Sequence, residues 1–151
     1  MTVPVFGDKI DNQSYQTRYG VYAIVPNPNQ DQVILVQAPN GAWFLPGGEI
    51  ENGENHHTAL ERELKEELGF KADLGNYLGQ ADDYFYSRHR DTHFYNPAFF
   101  YHVKSYQRLG NPLEDFNHLE WFPVKDAIER LKRGSHKWAV EQWLNQHQNL
   151  T

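Results

Sequence analysis

The sequence predicts an α/β protein of the α+β type, in which a mixed β-sheet is flanked by helices. Strand-like segments occur both before and after an amphipathic helix near the middle of the 151-residue chain, and two more helical segments follow the last strand. This order indicates layers of helix and sheet packed around one core. The length fits a single domain over residues 1–151, and the 39% hydrophobic content is typical of a globular protein.

The first half begins with two strand-like runs. Tyr19–Val25 and Val33–Gln37 are rich in β-branched and aromatic residues, and the turn-forming residues Pro26–Asn29 separate them. We expect an antiparallel hairpin from this spacing. Residues 42–45 then predict a short extended piece that ends at Pro46 and the Gly47–Gly48 pair, which permits a sharp turn.

A helix is predicted from about Asn55 to Leu68, because apolar residues recur every four positions and a glycine follows. Gly69 is the residue type favoured just beyond a helix C-terminus. The buried stripe is formed by Leu60, Leu64 and Leu68. The helix should therefore pack one face on the sheet and present its other residues at the border of the core.

The second half predicts two long strands, Tyr77–Ser87 and Phe94–Lys104, joined by a polar turn. Pro97 implies a bulge or an edge position, since proline cannot donate to a ladder. A short strand over residues 118–122 and a helix over about 124–132 follow, ended by Gly134. Ser135 is expected to cap a last amphipathic helix whose apolar residues are Trp138, Val140, Trp143 and Leu144.

The central helix concentrates acidic side chains on one side. Glu63, Glu66 and Glu67 are three and four residues apart, so their like charges are neighbours and destabilise an isolated helix by about a few tenths of a kcal/mol per pair. A cation between the carboxylates removes that cost. Mg²⁺ takes oxygen ligands and is usually held by one or two carboxylates together with substrate phosphates. The helix therefore predicts half of a metal–phosphate site.

The same segment resembles the Nudix box, the pattern G-x5-E-x7-R-E-U-x-E-E-x-G-U with U apolar. Every fixed position is filled, by Gly48, Glu54, Arg62, Glu63, Leu64, Glu66, Glu67, Gly69 and Phe70. Nine matched positions in twenty-three residues make chance agreement improbable, unlike a short glycine motif. The resemblance implies a Nudix-like α/β/α sandwich with a mixed sheet, and it extends over a core of about residues 18–144.

The resemblance also implies site residues. The metal ligands would be the three glutamates of the R-E-U-x-E-E segment and the carbonyl of the glycine before the box, which are Glu63, Glu66, Glu67 and Gly47. Glu54 would be a supporting carboxylate, and Arg62 would orient a glutamate. Glu63 is the first choice for the residue that orients or deprotonates the attacking water, although some relatives use a carboxylate from a downstream loop. Glu114 is the candidate of that kind here, with Asp115 and Glu120 near it.

Basic groups near the expected cleft are candidates for substrate contacts, because arginine suits bidentate phosphate recognition. They are Arg18, Arg88 and Arg90, with His89 between the last two. His56 and His57 at the start of the central helix suggest zinc, but a zinc site needs three or four nitrogen or sulfur ligands, and the chain has no cysteine. Mg²⁺ is therefore the expected cofactor, with Mn²⁺ as a substitute.

Composition restricts the partners. The net charge of −6 argues against a sequence-independent grip on long nucleic acid, which needs clustered Lys and Arg. The absence of cysteine excludes a disulfide framework and a thiol nucleophile. The N-terminal residues do not resemble a signal peptide, and no apolar run is long enough to span a bilayer. We expect a cytoplasmic protein that acts on a small molecule, with no membrane partner; exposed tryptophans on the last helix would mark a homodimer surface.

The function that the resemblance implies is Mg²⁺-dependent hydrolysis of a pyrophosphate bond in a nucleoside-diphosphate-linked compound, with a MutT-like nucleoside triphosphate pyrophosphatase favoured. Cleavage of dinucleoside polyphosphates, ADP-ribose or nucleotide sugars is the alternative. A non-catalytic nucleotide-binding module is the alternative of another class, and the complete acidic triad argues against it. An isomerase of prenyl diphosphates with the same fold would want a catalytic cysteine, which the chain lacks.

Overall fold

The computed structural model describes residues 2–113 and 117–149 and forms two β-sheets with three helices. In chain order the elements are β1 (Val5–Phe6), β2 (Gln16–Thr17), β3 (Gly20–Ile24), β4 (Gln32–Gln37), β5 (Trp43–Phe44), β6 (Gly47–Glu49), α1 (His56–Leu68), β7 (Phe70–Ser87), β8 (Thr92–Arg108), β9 (His118–Pro123), α2 (Val124–Arg130) and α3 (Gly134–Asn149). None of the described helices is long and apolar enough to cross a membrane.

The larger sheet is mixed, as expected. Its strand order is β1-β7-β8-β3-β6, and β2 pairs with β8 beside that path. The β7–β8 and β3–β6 pairs are antiparallel, whereas β1–β7, β2–β8 and β3–β8 are parallel. The smaller sheet has the order β5-β4-β9 and is antiparallel throughout.

Helices cover both faces of this arrangement. On β3, Val21 and Ala23 belong to the apolar cluster beneath α1, while Ile24 belongs to the cluster beneath α2 and α3. The period of two between the faces follows from the pleat of a strand. Leu60 and Leu64 of α1 are fully buried, which confirms the predicted stripe. The predicted class, a mixed sheet flanked by helices, is therefore confirmed.

The predicted hairpin between the first two strands is wrong. β3 lies in the larger sheet between β8 and β6, while β4 lies in the smaller sheet. The two strands meet only at the turn, where Pro26 bridges Val33 and the Ile34 N–H donates to the Val25 carbonyl at 3.1 Å. Both strands bury side chains along most of their length. Each strand is paired on both of its edges within its own sheet, so neither edge is open to its neighbour in sequence.

Two expectations about the later strands change. β7 and β8 extend well beyond the predicted ends, with irregular register between Asp73 and Gly79. Pro97 is neither in a bulge nor on an edge strand, because it pairs with Asp82 in undisturbed register on the central strand β8. On the other side of β8 it falls between the end of β2 and the start of β3, where no ladder needs its missing N–H.

The last helix also begins differently. Gly134 is the first residue of α3 rather than the end of α2, and Ser135 lies inside the helix. The Ser135 hydroxyl is buried and donates to the Asp83 carboxylate on β7 instead of capping. Trp143 is buried and Trp138 packs against the same apolar cluster, so neither supplies the exposed dimer surface that the sequence suggested.

Candidate active site

Helix α1 presents its acidic residues because both of its ends are fixed. The Asn55 side chain accepts a hydrogen bond from the Thr58 N–H at 2.8 Å, as an N-cap does. Gly69 adopts φ of 73° at the other end and donates to the Lys65 carbonyl. With the leucine stripe buried, the glutamates stand at the edge of the core: Glu67 is only 9% exposed.

Gly47 and Gly48 do not form the sharp turn that the sequence suggested, because both lie in β6 and pair with Tyr22 and Val21 of β3. Two of the glutamate carboxylates lie against this glycine pair. The Gly47 N–H donates to Glu67 Oε1 at 2.9 Å. A Cβ atom placed on Gly48 would lie 2.7 Å from the carboxyl carbon of Glu63, so the absence of a side chain lets that carboxylate sit against the backbone. Gly47 has φ of 141° and passes close to the Val21 carbonyl, a conformation that requires glycine.

Arg62 connects the remaining acids. Its guanidinium donates to Glu54 at 2.7 and 3.0 Å, to Glu63 Oε1 at 3.0 Å and to Glu66 Oε2 at 3.3 Å. It also donates to the Glu49 carbonyl at 3.1 Å. One cation therefore holds three glutamates of the box in a common arrangement, and it ties α1 to the end of β6, the strand that contains the glycine pair.

The charges of this network stabilise one another. Hydrogen bonding from Arg62, followed by the Glu51 N–H, lowers the pKa of the Glu54 carboxyl. Hydrogen bonding to Glu54 is also the main cause that raises the pKa of the Arg62 guanidinium. Both groups stay ionised near neutral pH, so the network keeps its geometry under ordinary conditions.

Within residues 2–113 and 117–149, no three His, Asp or Glu side chains are already arranged as a metal-binding group. Arg62 contacts Glu63 and Glu66 in this arrangement. His56 instead contacts the Tyr101 hydroxyl at 2.9 Å and packs on the Phe99 ring, and burial is the first cause that lowers the pKa of its imidazole. His56 and His57 therefore have no set of partners that suits zinc.

The basic residues named from the sequence are dispersed. Arg18 lies beside the acidic network, with its Nε atom 3.2 Å from Glu49. Arg88 lines a separate cavity at the turn between β7 and β8. Arg90 is exposed on that turn, 5.9 Å from the centroid of the Phe94 ring. Only Arg18 thus lies next to the acidic residues.

The downstream carboxylates remain apart from this site or outside the description. Glu114 and Asp115 lie outside the described residues. Glu120 is exposed on β9, where its Oε1 atom lies 3.8 Å from Nε2 of His118.

Sequence reasoning did not select the residues at the start of α3. His136 is buried, and its Nδ1 atom accepts a hydrogen bond from the Leu45 N–H at 3.0 Å, two residues before Gly47. Burial, reinforced by Arg133, lowers the pKa of this imidazole well below its usual range, so the ring is neutral. Tyr22 packs against the same ring at 4.4 Å between centroids. A histidine near the start of a helical segment was the only signal, and it indicates nothing about a partner 91 residues away.

The fold and the acidic network together define a protein of the Nudix class, and comparison with known proteins agrees. The family model of the NUDIX domain matches residues 16–144. The chain is 34% identical over 109 residues to human diphosphoinositol polyphosphate phosphohydrolase 3-alpha, an alignment that covers 68% of this chain and 62% of that protein. The chain spans less than two thirds of the length of the curated relatives that it matches.

Solved structures give the same result. The MutT NUDIX hydrolase from Burkholderia pseudomallei is 26% identical, with a TM-score of 0.59, and the superposition covers 84% of this chain and 98% of that one. The E. coli ORF135 protein shares the fold with a TM-score of 0.68 at 22% identity, over 88% and 92% of the two chains. The chain therefore belongs to the Nudix hydrolase family, whose enzymes are pyrophosphohydrolases of phosphorus-containing anhydrides.

Proposed function

We propose that this protein is a Mg²⁺-dependent hydrolase that cleaves a phosphoric anhydride in a small nucleoside-diphosphate-type molecule. The observation that carries the proposal is the position of the Glu63 and Glu67 carboxylates against the Gly47–Gly48 pair. Arg62 holds Glu66 beside them. An acidic helix without such a function has no need of a glycine at position 48 that lets a carboxylate approach the backbone.

The donor set suits a hard divalent ion, because every candidate ligand is an oxygen. Glu63, Glu66, Glu67 and the Gly47 carbonyl would hold Mg²⁺, or Mn²⁺ in its place. Mg²⁺ normally keeps several waters and uses one or two carboxylates with the substrate phosphates, so a complete protein cage is not required beforehand. The bound ion would neutralise phosphate charge and lower the pKa of bound water.

The chain's own residues have distinct roles in this proposal. Glu63 accepts a proton from the attacking water. The oxygen of that water bonds to phosphorus while the anhydride P–O bond breaks and the phosphate-type leaving group departs. Arg62 positions Glu63 through the 3.0 Å hydrogen bond. Glu54 fixes Arg62 through two hydrogen bonds from the other side of the guanidinium. Glu114 stays a candidate for a downstream carboxylate; Glu114→Gln should lower turnover at least tenfold if it acts as the base.

Nucleoside triphosphates are the favoured substrates, supported by the likeness to the B. pseudomallei MutT hydrolase at 26% identity. The 34% identity to the human phosphohydrolase adds diphosphoinositol polyphosphates as a second candidate, and dinucleoside polyphosphates, ADP-ribose and nucleotide sugars remain to be compared with both. We further propose that residues 1–151 form a single domain. We also propose a cytoplasmic location, which the absence of cysteine supports.

A substrate panel tests the proposal. Phosphate release is measured after adding a phosphatase or pyrophosphatase to reactions that contain nucleoside triphosphates, dinucleoside polyphosphates, nucleotide sugars or diphosphoinositol polyphosphates. We expect one class to be hydrolysed with Mg²⁺. Binding without hydrolysis of any class would instead favour the non-catalytic binding module.

A further inference from the structure

A cavity of about 450 Å³ opens between the β7–β8 turn, the start of α3 and residues 40–44, which precede β6. Aromatic and cationic side chains form its walls, namely Phe44, Phe85, Arg88, His89, Lys132 and Arg133. No acidic side chain lines its described part. In a protein with a net charge of −6, this cavity is a local region of positive charge.

Arg133 dominates the inner part of this cavity. Its guanidinium carbon lies 3.3 Å from the centroid of the Phe85 ring and 5.3 Å from that of Phe44. Aromatic contact covers the face of a guanidinium but leaves the N–H groups at its edge able to donate in the plane. The stack therefore fixes the direction in which Arg133 presents its donors.

Arg133 also differs from the arginines of the acidic network. Arg18 and Arg62 have carboxylate oxygens at 3.2 and 2.7 Å, whereas no carboxylate oxygen lies within 4.0 Å of Arg133 among the described residues. Burial lowers the pKa of Arg133, and the nearby Tyr22 and Asp83 oppose that effect. Keeping a half-buried cation without an ion pair is costly, and an anionic ligand removes the cost.

The cavity and the acidic site share one stretch of the chain. Phe44, which lines the cavity, lies three residues before Gly47, and Gly47 pairs with Tyr22 on β3. Burial is the main cause that raises the pKa of the Tyr22 hydroxyl; Arg133 and Arg18 act against this effect, and Glu67 and Glu63 act with it. Charged groups of both sites therefore lie near Tyr22, which places the cavity close to the carboxylates.

We propose that Arg133 binds a phosphate-type group of the substrate that is separate from the anhydride being cleaved, with Arg88 and Lys132 adding charge at the mouth of the cavity. This inference rests on the proposed function for its place in the reaction. This cation would favour substrates that carry a further phosphate over substrates that end in an uncharged group. Arg133, rather than Arg90, would then be the principal cation of substrate recognition.

Binding of inorganic tripolyphosphate, measured by calorimetry in EDTA at low salt, tests the site without any turnover. We expect the wild-type chain to bind and Arg133→Gln to bind at least tenfold more weakly. Arg88→Gln, at an exposed position that does not threaten the fold, should weaken binding about threefold. Arg130→Gln is the matched control, because Arg130 also lies over a phenylalanine ring, 5.1 Å from the Phe122 centroid, outside the cavity.

The proposal is overturned if the wild-type chain does not bind tripolyphosphate, if neither cavity variant weakens binding, or if Arg130→Gln weakens it as much as Arg133→Gln. A hydrolysis arm with Mg²⁺ then separates a substrate group from an independent anion. Competitive inhibition by tripolyphosphate supports the substrate assignment, and noncompetitive inhibition contradicts it. Absence of all hydrolysis with binding intact would overturn the proposed function while retaining an anion site at Arg133.

Discussion

The two ends of the candidate site use opposite means to hold charge. At the acidic end, Arg62 donates to Glu54, Glu63 and Glu66, the Gly47 N–H donates to Glu67, and each of these hydrogen bonds is made within twenty residues of sequence. At the cationic end, Arg133 is held by aromatic rings from two other segments and has no ion pair among the residues that the structure describes. The first end is a network whose negative charge Arg62 neutralises only in part, and a metal would replace some of the Arg62 contacts. The second is a cation for which an anionic ligand would supply the counter-charge.

This difference indicates how the site divides its work. The acidic end would act on the anhydride, and the cationic end would determine which anhydrides reach it. His136 and Tyr22 lie between the two ends and contact the loop that leads to Gly47. Changes at the acidic end should therefore alter turnover, whereas changes at the cationic end should alter selection.

The largest expected effect is at Glu67. Glu67→Gln keeps an oxygen that accepts from the Gly47 N–H but removes the negative charge, so turnover should fall about 10²–10³-fold, as for loss of a major electrostatic group in a catalytic site. Steady-state kinetics on the best substrate of the panel measure it. Glu61→Gln, at an exposed position of the same helix, is the control and should be neutral. An unchanged rate in Glu67→Gln would remove Glu67 from the metal site.

Gly48→Ala tests whether Glu63 must lie against the backbone of β6 at Gly48. The new methyl group would lie 2.7 Å from the Glu63 carboxyl carbon, and the flexible side chain would have to move away. We expect kcat to fall about tenfold, equivalent to roughly 1.4 kcal/mol, with little change in thermal stability. Gly110→Ala serves as the control because a Cβ there meets no atom within 4 Å. Full activity in Gly48→Ala would show that the placement of Glu63 is not needed.

The pH dependence of stability tests whether His136 is neutral in the folded chain. The pKa of its ring is lower in the folded chain than in the unfolded chain, so below about pH 6.5 the unfolded state binds the extra proton. Its contribution to stability is therefore complete above that pH and is lost as the pH falls, by at most about 1.4 kcal/mol per unit.

Urea unfolding at pH 7.5 and 5.5 measures this dependence. His136→Asn keeps an acceptor for the Leu45 N–H but cannot titrate, so the variant should be less stable at both pH values with a smaller difference between them. The exposed His89→Asn should keep the wild-type difference. An equal pH dependence in wild type and His136→Asn would assign the effect to other groups.

The smallest expected effect is that of Arg62→Lys on stability. Lysine keeps the charge but loses the planar fork that reaches several acceptors, so the metal-free protein should lose about 0.5–1 kcal/mol of unfolding free energy. Added Mg²⁺ should raise the melting temperature of this variant more than that of the wild type. Arg108→Lys is the control, because within the described part of the chain the Arg108 guanidinium makes a single side-chain hydrogen bond, to Asn111 at 3.5 Å. Equal Mg²⁺ responses would argue that Arg62 and the ion do not share ligands.

The acidic end was accessible from sequence because its contacts are local. Helical spacing places Glu63, Glu66 and Glu67 together, and Arg62 reaches Glu66 as the i,i+4 rule predicts. The stop at Gly69 follows from residue type, and the predicted start at about Asn55 is close to the observed one, where Asn55 is the N-cap of α1. The assignment of these residues to metal binding and catalysis remains a prediction that the variants above test.

The rest depends on contacts that sequence spacing does not reveal. β3 pairs with β8 and β6, whereas β4 pairs with β5 and β9 in the other sheet. The hairpin prediction was wrong because it relied on the proximity of β3 and β4 in sequence. Arg133 is held in its orientation by Phe85, which lies on β7. Ser135 has the residue type of a cap, but its buried partner Asp83 decides its role. In each case tertiary packing outweighs the local signal.

The central claim is that the acidic end supports hydrolysis only with a divalent ion. Its most direct test is phosphate release from the best substrate of the panel, measured with purified wild-type protein in EDTA and again after Mg²⁺ is added back. We predict that hydrolysis is lost in EDTA and restored by Mg²⁺. An equal rate in EDTA and in Mg²⁺ would contradict the account.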